Sequence, residues 1–116
     1  DVLSRMALVP RVLEARGLDV TPSIQTKFRA SKFYKMVDIL DVIYRDEIGH
    51  VKIGNHWFHY LCKDRGLDPI LTFDALITKH IGSKLRGPFN VEARLLSDFS
   101  QAELYYLDHK INNEVK

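Results

Sequence analysis

The spacing of the apolar residues constrains this chain more than any other feature. Over residues 32–64 the apolar positions alternate steps of three and four, which is the pattern of one face of an α-helix. Sustained alternation of apolar and polar residues, which is typical of a half-buried strand, does not occur in the sequence. The chain is therefore predicted to be all-α, with its longest helix over residues 32–64.

Cap and breaker residues divide the N-terminal part of the chain. A first helix is predicted over residues 2–16, with Pro10 as a kink inside it and Gly17 as its C-terminal cap. Thr21 as N-cap and Pro22 at the first helical position predict a separate short helix after it. Two helices are therefore expected before the long one.

Similar signals place the remaining helices. Ser31 is predicted to cap the long helix, and Asp68 with Pro69 to begin another helix that runs to about residue 81. A short helix is predicted over residues 91–96, and Ser100 with Glu103 has the spacing of a capping box for a final helix. We expect a bundle of helices joined by short turns.

Length, charge and cysteine content limit the class of protein. The 116 residues, 46% of them hydrophobic, fit a single helical domain over residues 1–116. The chain opens at Asp1 in a helical pattern that only Asp1 or Ser4 could cap, so it is expected to be a piece of a longer protein, with a trimmed or disordered start as the alternative. Its 17 basic and 15 acidic residues are spread along the chain, so no basic surface for nucleic acid is expected. The single cysteine, Cys62, and the lack of any apolar run of about 18 residues predict a cytoplasmic protein outside the membrane.

Two polar residues interrupt the apolar stripe of the long helix. The predicted stripe consists of Phe33, Met36, Leu40, Ile43, Glu47, His50, Gly54, Trp57 and Leu61. Three residues turn an α-helix through about 300°, so Glu47 and His50 point to nearly the same side. A carboxylate and an imidazole at this spacing, facing the interior of a helical bundle, supply half the ligands of a carboxylate-bridged two-metal site.

The first helix offers a third ligand. Leu3, Ala7, Pro10 and Glu14 follow steps of four and three, so Glu14 lies on the same face as an apolar stripe. If the first and long helices pack antiparallel, Glu14 approaches Glu47 and His50. The predicted metal ligands are therefore Glu14, Glu47 and His50.

Other interpretations of these residues remain open at this point. The Glu47–His50 pair could be a surface pair, or a buried pair by which a non-catalytic helical module specifies its assembly. His56 and His59 fall beside the stripe and are expected on a solvated face. Arg86, in the loop "GSKLRGPFN" with Lys84, could bind an anion or could be solvated.

Several motifs resemble a known family. In order and spacing, "RMALVPRVLEARGLDVTP", "RDEIGHVKIGNHWFHYLC", "RGLDP" and "LRGPFN" resemble the C-terminal half of a bacterial ferritin-like family of uncharacterised function. The resemblance implies a four-helix bundle with two carboxylate-bridged irons, manganese being an alternative. It implies that Glu14, Glu47 and His50 are metal ligands, and that Asp46 orients the metal-bound His50 through its other ring nitrogen.

The resemblance also implies a division of the site. The chain corresponds to the second helix pair with the C-terminal helices, and it carries three of the usual six ligands. The others are expected from the missing N-terminal half of the same protein or from a second copy in a homo-oligomer. The activity implied is oxygen-dependent oxidation of the hydroxylase type by a non-haem di-iron centre. A modified RNA base is a possible substrate, although the balanced charge gives it little support.

Overall fold

The chain folds into α-helices joined by short turns in a computed structural model, which describes residues 1–82 and 85–114. In chain order the helices are α1 (Val2–Leu8), α2 (Ala15–Ala30), α3 (Tyr34–Asp64), α4 (Pro69–His80), α5 (Val91–Leu96) and α6 (Gln101–Glu114), with a π-helical segment (Val9–Glu14) between α1 and α2. The prediction of an all-α bundle is confirmed. Within the described residues no helix is long and apolar enough to cross a membrane.

The π-helical segment follows from Pro10. Proline has no N–H group and cannot donate the usual hydrogen bond to the fourth preceding carbonyl, so the helix widens at this point rather than ending. Pro10 and its neighbour Arg11 are both buried. Leu3, Ala7 and Pro10 are buried as the sequence predicted for the inner face of the first helix, and the buried Arg11 was not predicted there.

The predicted second start at Thr21 and Pro22 is wrong, because α2 continues through both residues. The Thr21 hydroxyl donates a hydrogen bond back to the carbonyl of Gly17 (2.6 Å) instead of capping a new helix. Pro22 leaves the carbonyl of Leu18 without its helical partner, and the side-chain amide of Asn90 donates to that carbonyl at 3.0 Å. A residue far along the chain therefore allows the helix to pass the proline.

The ends of α3 show one wrong prediction and one correct one. Ser31 is the residue that ends α2, and Lys32 turns the chain in the left-handed conformation (φ 61°), so the long helix begins later than predicted. At the other end Gly66 is left-handed (φ 67°), and the N–H of Leu67 donates to the carbonyl of Cys62 at 2.8 Å. This is the glycine-terminated end that the sequence indicates.

The buried face of α3 differs from the predicted stripe by about one residue. Its buried residues are Val37, Val51, Gly54, Asn55, Phe58 and Cys62. Trp57 is 48% exposed and Phe33 is 59% exposed, so their assignment to the core is wrong for this chain. The reason is that the other described helices pack against the Val51–Phe58 face and leave the neighbouring apolar face open.

The C-terminal helices have the caps that the sequence predicts. Asp68 accepts a hydrogen bond from the N–H of Leu71 at 2.8 Å at the start of α4. The N–H of Ser100 donates to the Glu103 carboxylate (3.0 Å), and the N–H of Glu103 donates to the Ser100 hydroxyl (3.1 Å). The predicted capping box and the helix over residues 91–96 are confirmed.

A buried guanidinium lies at the centre of the core. The Arg11 side chain forms an ion pair with Glu103, and its guanidinium carbon lies 4.2 Å from the ring centre of Phe58, with Phe73 and Phe99 at 4.4 and 5.0 Å. His59 Nε2 lies 3.1 Å from both oxygens of Glu103, so its expected place on a solvated face is wrong. The polar groups bind one another inside an aromatic shell.

Gly54 is the position where α3 approaches the π-helical segment most closely. A Cβ atom on Gly54 would overlap the ring of Pro10, whereas a Cβ atom on Gly49 would meet no atom within 4 Å. We expect Gly54→Ala to lower the free energy of unfolding by about 1–3 kcal/mol, because the two helices must separate. The matched change Gly49→Ala should raise it by up to about 1 kcal/mol, since alanine favours the helix. Urea unfolding of both variants measures the difference, and equal effects would contradict the packing.

Stability at acid pH depends on Glu103. Burial alone would raise its pKa, but the hydrogen bond from His59, the charge of Arg11 and the N–H of Ser100 outweigh burial and lower the pKa to about 2, from 4.5. A lowered carboxyl pKa stabilises the fold above pH 4.5, and that contribution is lost as the pH falls towards about 2. At neutral pH, Glu103→Gln should lower the free energy of unfolding by about 3 kcal/mol.

The difference between the wild-type protein and Glu103→Gln should shrink as the pH falls from 4.5 towards about 2, as measured by urea unfolding at each pH. Glu92→Gln is the control, because Glu92 is an exposed carboxylate on the first turn of α5. A constant difference between wild type and Glu103→Gln across this range would contradict the role given to the ion pair.

Candidate metal centre

Three side chains of the metal-binding type meet where the π-helical segment ends against the middle of α3. Glu14 is the last residue of that segment, and Glu47 and His50 lie one turn apart on α3. Each offers one ligand atom, and these three atoms all lie within 4.8 Å of one another. The structure therefore brings together the three residues that the sequence selected as ligands.

Close packing of the two helices places these residues together. At Gly54 the absence of a side chain lets the Pro10 ring lie against α3. At Gly17, near the start of α2, a Cβ atom would lie 4.0 Å from Cγ of Glu47, so the helices are also close on this side of the cluster. Glu14 lies between these two contacts in the chain, and its carboxylate reaches the Glu47 carboxylate as a result.

The electrostatics of the cluster are dominated by Glu47. Its side chain is 25% exposed, and burial raises its pKa, with a further rise from the neighbouring Glu14 carboxylate and a smaller opposing effect of His50. His50 Nδ1 lies 3.7 Å from Glu47 Oε2. Glu47 Oε1 is buried and has no hydrogen-bond partner among the described residues. Two adjacent carboxylates with an unpartnered oxygen are unfavourable without a cation.

The donors fit a divalent metal ion. Carboxylate oxygens and an imidazole nitrogen are ligands that iron, manganese and zinc accept, and the unpartnered Glu47 oxygen is the atom that a bound cation would satisfy. His50 is the most exposed of the three, with 63% of its side chain accessible. The cluster is thus closed on the α2 side and open at His50.

An apolar cleft begins at this open side. Glu14 and His50 line it together with Val9, Ile53 and Trp57, and its volume is about 490 Å³. Trp57 was predicted on the same stripe as Glu47 and His50, but as a core residue and not as part of the site. Helical spacing could have connected Ile53 and Trp57 with the site, because they follow His50 by three and seven residues and so share its face of the helix.

Among the described residues, the remaining polar candidates are outside this group of three. Asp46 is exposed and forms no hydrogen bond with His50 in residues 1–82 and 85–114, so its orienting role stays a prediction. His56, His80 and His109 are exposed. In the described part of the chain, Glu14, Glu47 and His50 are the group of three metal-ligating residues whose donor atoms converge. Lys84 lies outside the described residues.

The carboxylate pair should weaken the metal-free fold. We expect Glu47→Gln to raise the free energy of unfolding of chelator-treated protein by about 1 kcal/mol, because glutamine removes a buried charge that faces Glu14. Urea unfolding measures this change, with Glu92→Gln again as the exposed control. A loss of stability in Glu47→Gln alone would mean that the carboxylate has a stabilising partner within the protein.

Fold and site together define the class: an all-α bundle with a carboxylate–imidazole cluster between the π-helical segment and α3. The chain belongs to the family described as "Protein of unknown function (DUF455)", which matches residues 1–105. This confirms the resemblance to a family of uncharacterised function.

A relative from Haemophilus influenzae extends this finding. It is an uncharacterized protein that is 49% identical over 119 residues, and the match covers all of this chain and 41% of the relative. The chain therefore spans less than half the length of that protein. No solved structure matches the chain.

Proposed function

We propose that this chain is part of a ferritin-like protein that binds a two-metal centre through Glu14, Glu47 and His50 and acts as an oxygen-dependent oxidoreductase. Iron is the proposed metal, with manganese as the alternative. The observation that carries the proposal is the convergence of three donor atoms within 4.8 Å, one of them on a glutamate with a buried, unpartnered oxygen. Burial of such a carboxylate is explained if a cation balances it.

Each residue has a defined task in this proposal. Glu14 and Glu47 supply the negative charge that balances the cations, and neutral His50 supplies a ring nitrogen. Two metal ions bound in this way would supply oxygen-dependent oxidation of the hydroxylase type. The apolar side chains of Val9, Ile53 and Trp57 form a wall on the open side of the cluster, where they would limit the access of water.

The remaining ligands are proposed to come from outside this chain. Three donors are half of the set that ferritin-like two-metal sites use. The open side of the cluster lies among the exposed apolar residues Val9, Ile53 and Trp57, which form a surface suited to further helices. The Haemophilus relative extends well beyond the matched region. We assign the missing ligands to the remainder of the longer protein, with a second copy of this chain as the alternative partner.

Metal analysis tests the proposal. Full-length protein that contains this chain, loaded with ferrous iron without oxygen, should retain near-stoichiometric metal after gel filtration. His50→Ala should lower the metal affinity at least tenfold, because it removes a donor atom. His56→Ala is the control, since His56 is an exposed histidine on the same helix. Elemental analysis of the three proteins measures the outcome.

The same three proteins, together with the isolated chain loaded in the same way, distinguish the other function considered for the pair. If Glu47 and His50 only specify the assembly of a non-catalytic helical module, the wild-type protein will hold no metal and His50→Ala will change the mass found by light scattering. If the second copy supplies the missing ligands, metal will be found on a dimer of the isolated chain. Equal metal content in His50→Ala and His56→Ala would contradict the proposed site.

A further inference from the structure

A second cavity lies between the start of α2, the end of α4 and the segment over residues 85–90. Its volume is about 370 Å³, and none of its lining residues lines the cleft beside Glu14 and His50. Its apolar lining residues are Val12, Leu13, Ile81, Leu85 and Phe89. The volume falls within the range of about 300–1,000 Å³ that is common for small-molecule sites.

The polar lining of this cavity is basic. Arg16, Arg86, Arg94 and His80 line it, and none of the lining residues is acidic. Arg94 is neutralised, because its Nε and Nη2 donate to the two carboxylate oxygens of the buried Asp19 at 3.0 and 2.7 Å. Arg94 is thereby fixed as part of the wall.

The other two arginines carry the surplus charge. Arg16 lies 3.9 Å from the Asp19 carboxylate, which Arg94 already occupies, and its Nη1 donates to the backbone carbonyl of Arg86 at 3.1 Å. The Arg86 side chain is exposed and has no ion pair with any residue in the described ranges. This hydrogen bond ties Arg16 to the segment that carries Arg86, so both guanidinium groups belong to one cavity.

We infer that this cavity binds an amphipathic organic anion, with its carboxylate at Arg16 and Arg86 and its apolar chain on Ile81, Leu85 and Phe89. An inorganic anion would leave the apolar lining unused. An uncharged apolar ligand would leave the charge of Arg86 unpaired and that of Arg16 balanced only by Asp19, which Arg94 shares. A carboxylate with an attached acyl chain satisfies both parts of the lining, since guanidinium groups bind carboxylates by paired, charge-assisted hydrogen bonds. This inference does not depend on the proposed metal centre.

Octanoate is a suitable probe, with octan-1-ol as the uncharged probe of equal chain length. In full-length protein labelled at the isoleucine methyl groups, octanoate should shift the NMR signal of Ile81, and the shift should reach a plateau as the octanoate concentration rises. The signal of Ile53, which lies in the other cleft, should stay in place. Octan-1-ol should bind at least tenfold more weakly, because it carries no charge for the arginines.

Two charge-removing variants complete the test. Arg86→Gln should weaken octanoate binding about tenfold, whereas Lys79→Gln, at an exposed residue of α4 outside the lining, should leave it unchanged. The inference is overturned if octan-1-ol binds as tightly as octanoate, or if Lys79→Gln weakens binding as much as Arg86→Gln. It is also overturned if octanoate leaves Ile81 unshifted.

Discussion

The buried Arg11 guanidinium is the interaction on which the rest of the structure depends. A charge with 1% exposure is unfavourable unless it is paired, and Glu103 of α6 provides the opposite charge while Phe58 and Phe73 cover the guanidinium faces. One side chain therefore joins the π-helical segment to α3, α4 and α6. Pro10 and Arg11 are both buried residues of the π-helical segment, which ends at Glu14 beside α3. The core ion pair and the candidate ligand Glu14 therefore lie on the same short segment.

The candidate metal centre lies at the edge of this core, and its side chains differ in exposure. Glu47 is largely covered by the first helices, and His50 faces the open cleft. Three buried side-chain atoms of the described residues lack a hydrogen-bond partner: Arg11 Nε and Asn55 Oδ1 in the core, and Glu47 Oε1. Of these, Glu47 Oε1 belongs to the group of converging metal-ligating side chains. In the proposed metal centre, a bound cation would be the partner of that oxygen.

Local signals in the sequence were enough to predict many of the helix ends in this structure. The Ser100–Glu103 capping box, the Asp68 cap and the end of α3 at Gly66 involve residues close in sequence, and all were predictable. The errors concern partners far along the chain. Helix α2 passes Pro22 because Asn90 satisfies the freed carbonyl, and His59 is drawn inward by Glu103, 44 residues away. Neither partner can be chosen from spacing alone.

The error in the buried face of α3 has a different origin, and it bears on the site. The sequence predicts an apolar stripe through Glu47 and His50, yet the helices of this chain cover the adjacent face of α3. On the predicted stripe, Ile43 is 52% exposed and Trp57 is 48% exposed. A helix with apolar residues on two adjacent faces is suited to two sets of neighbours. One set is present among α1, α2 and α4. The other would meet α3 along the stripe that holds Glu47 and His50. Under the proposed two-metal function, those elements would be the ones placed to supply the remaining ligands.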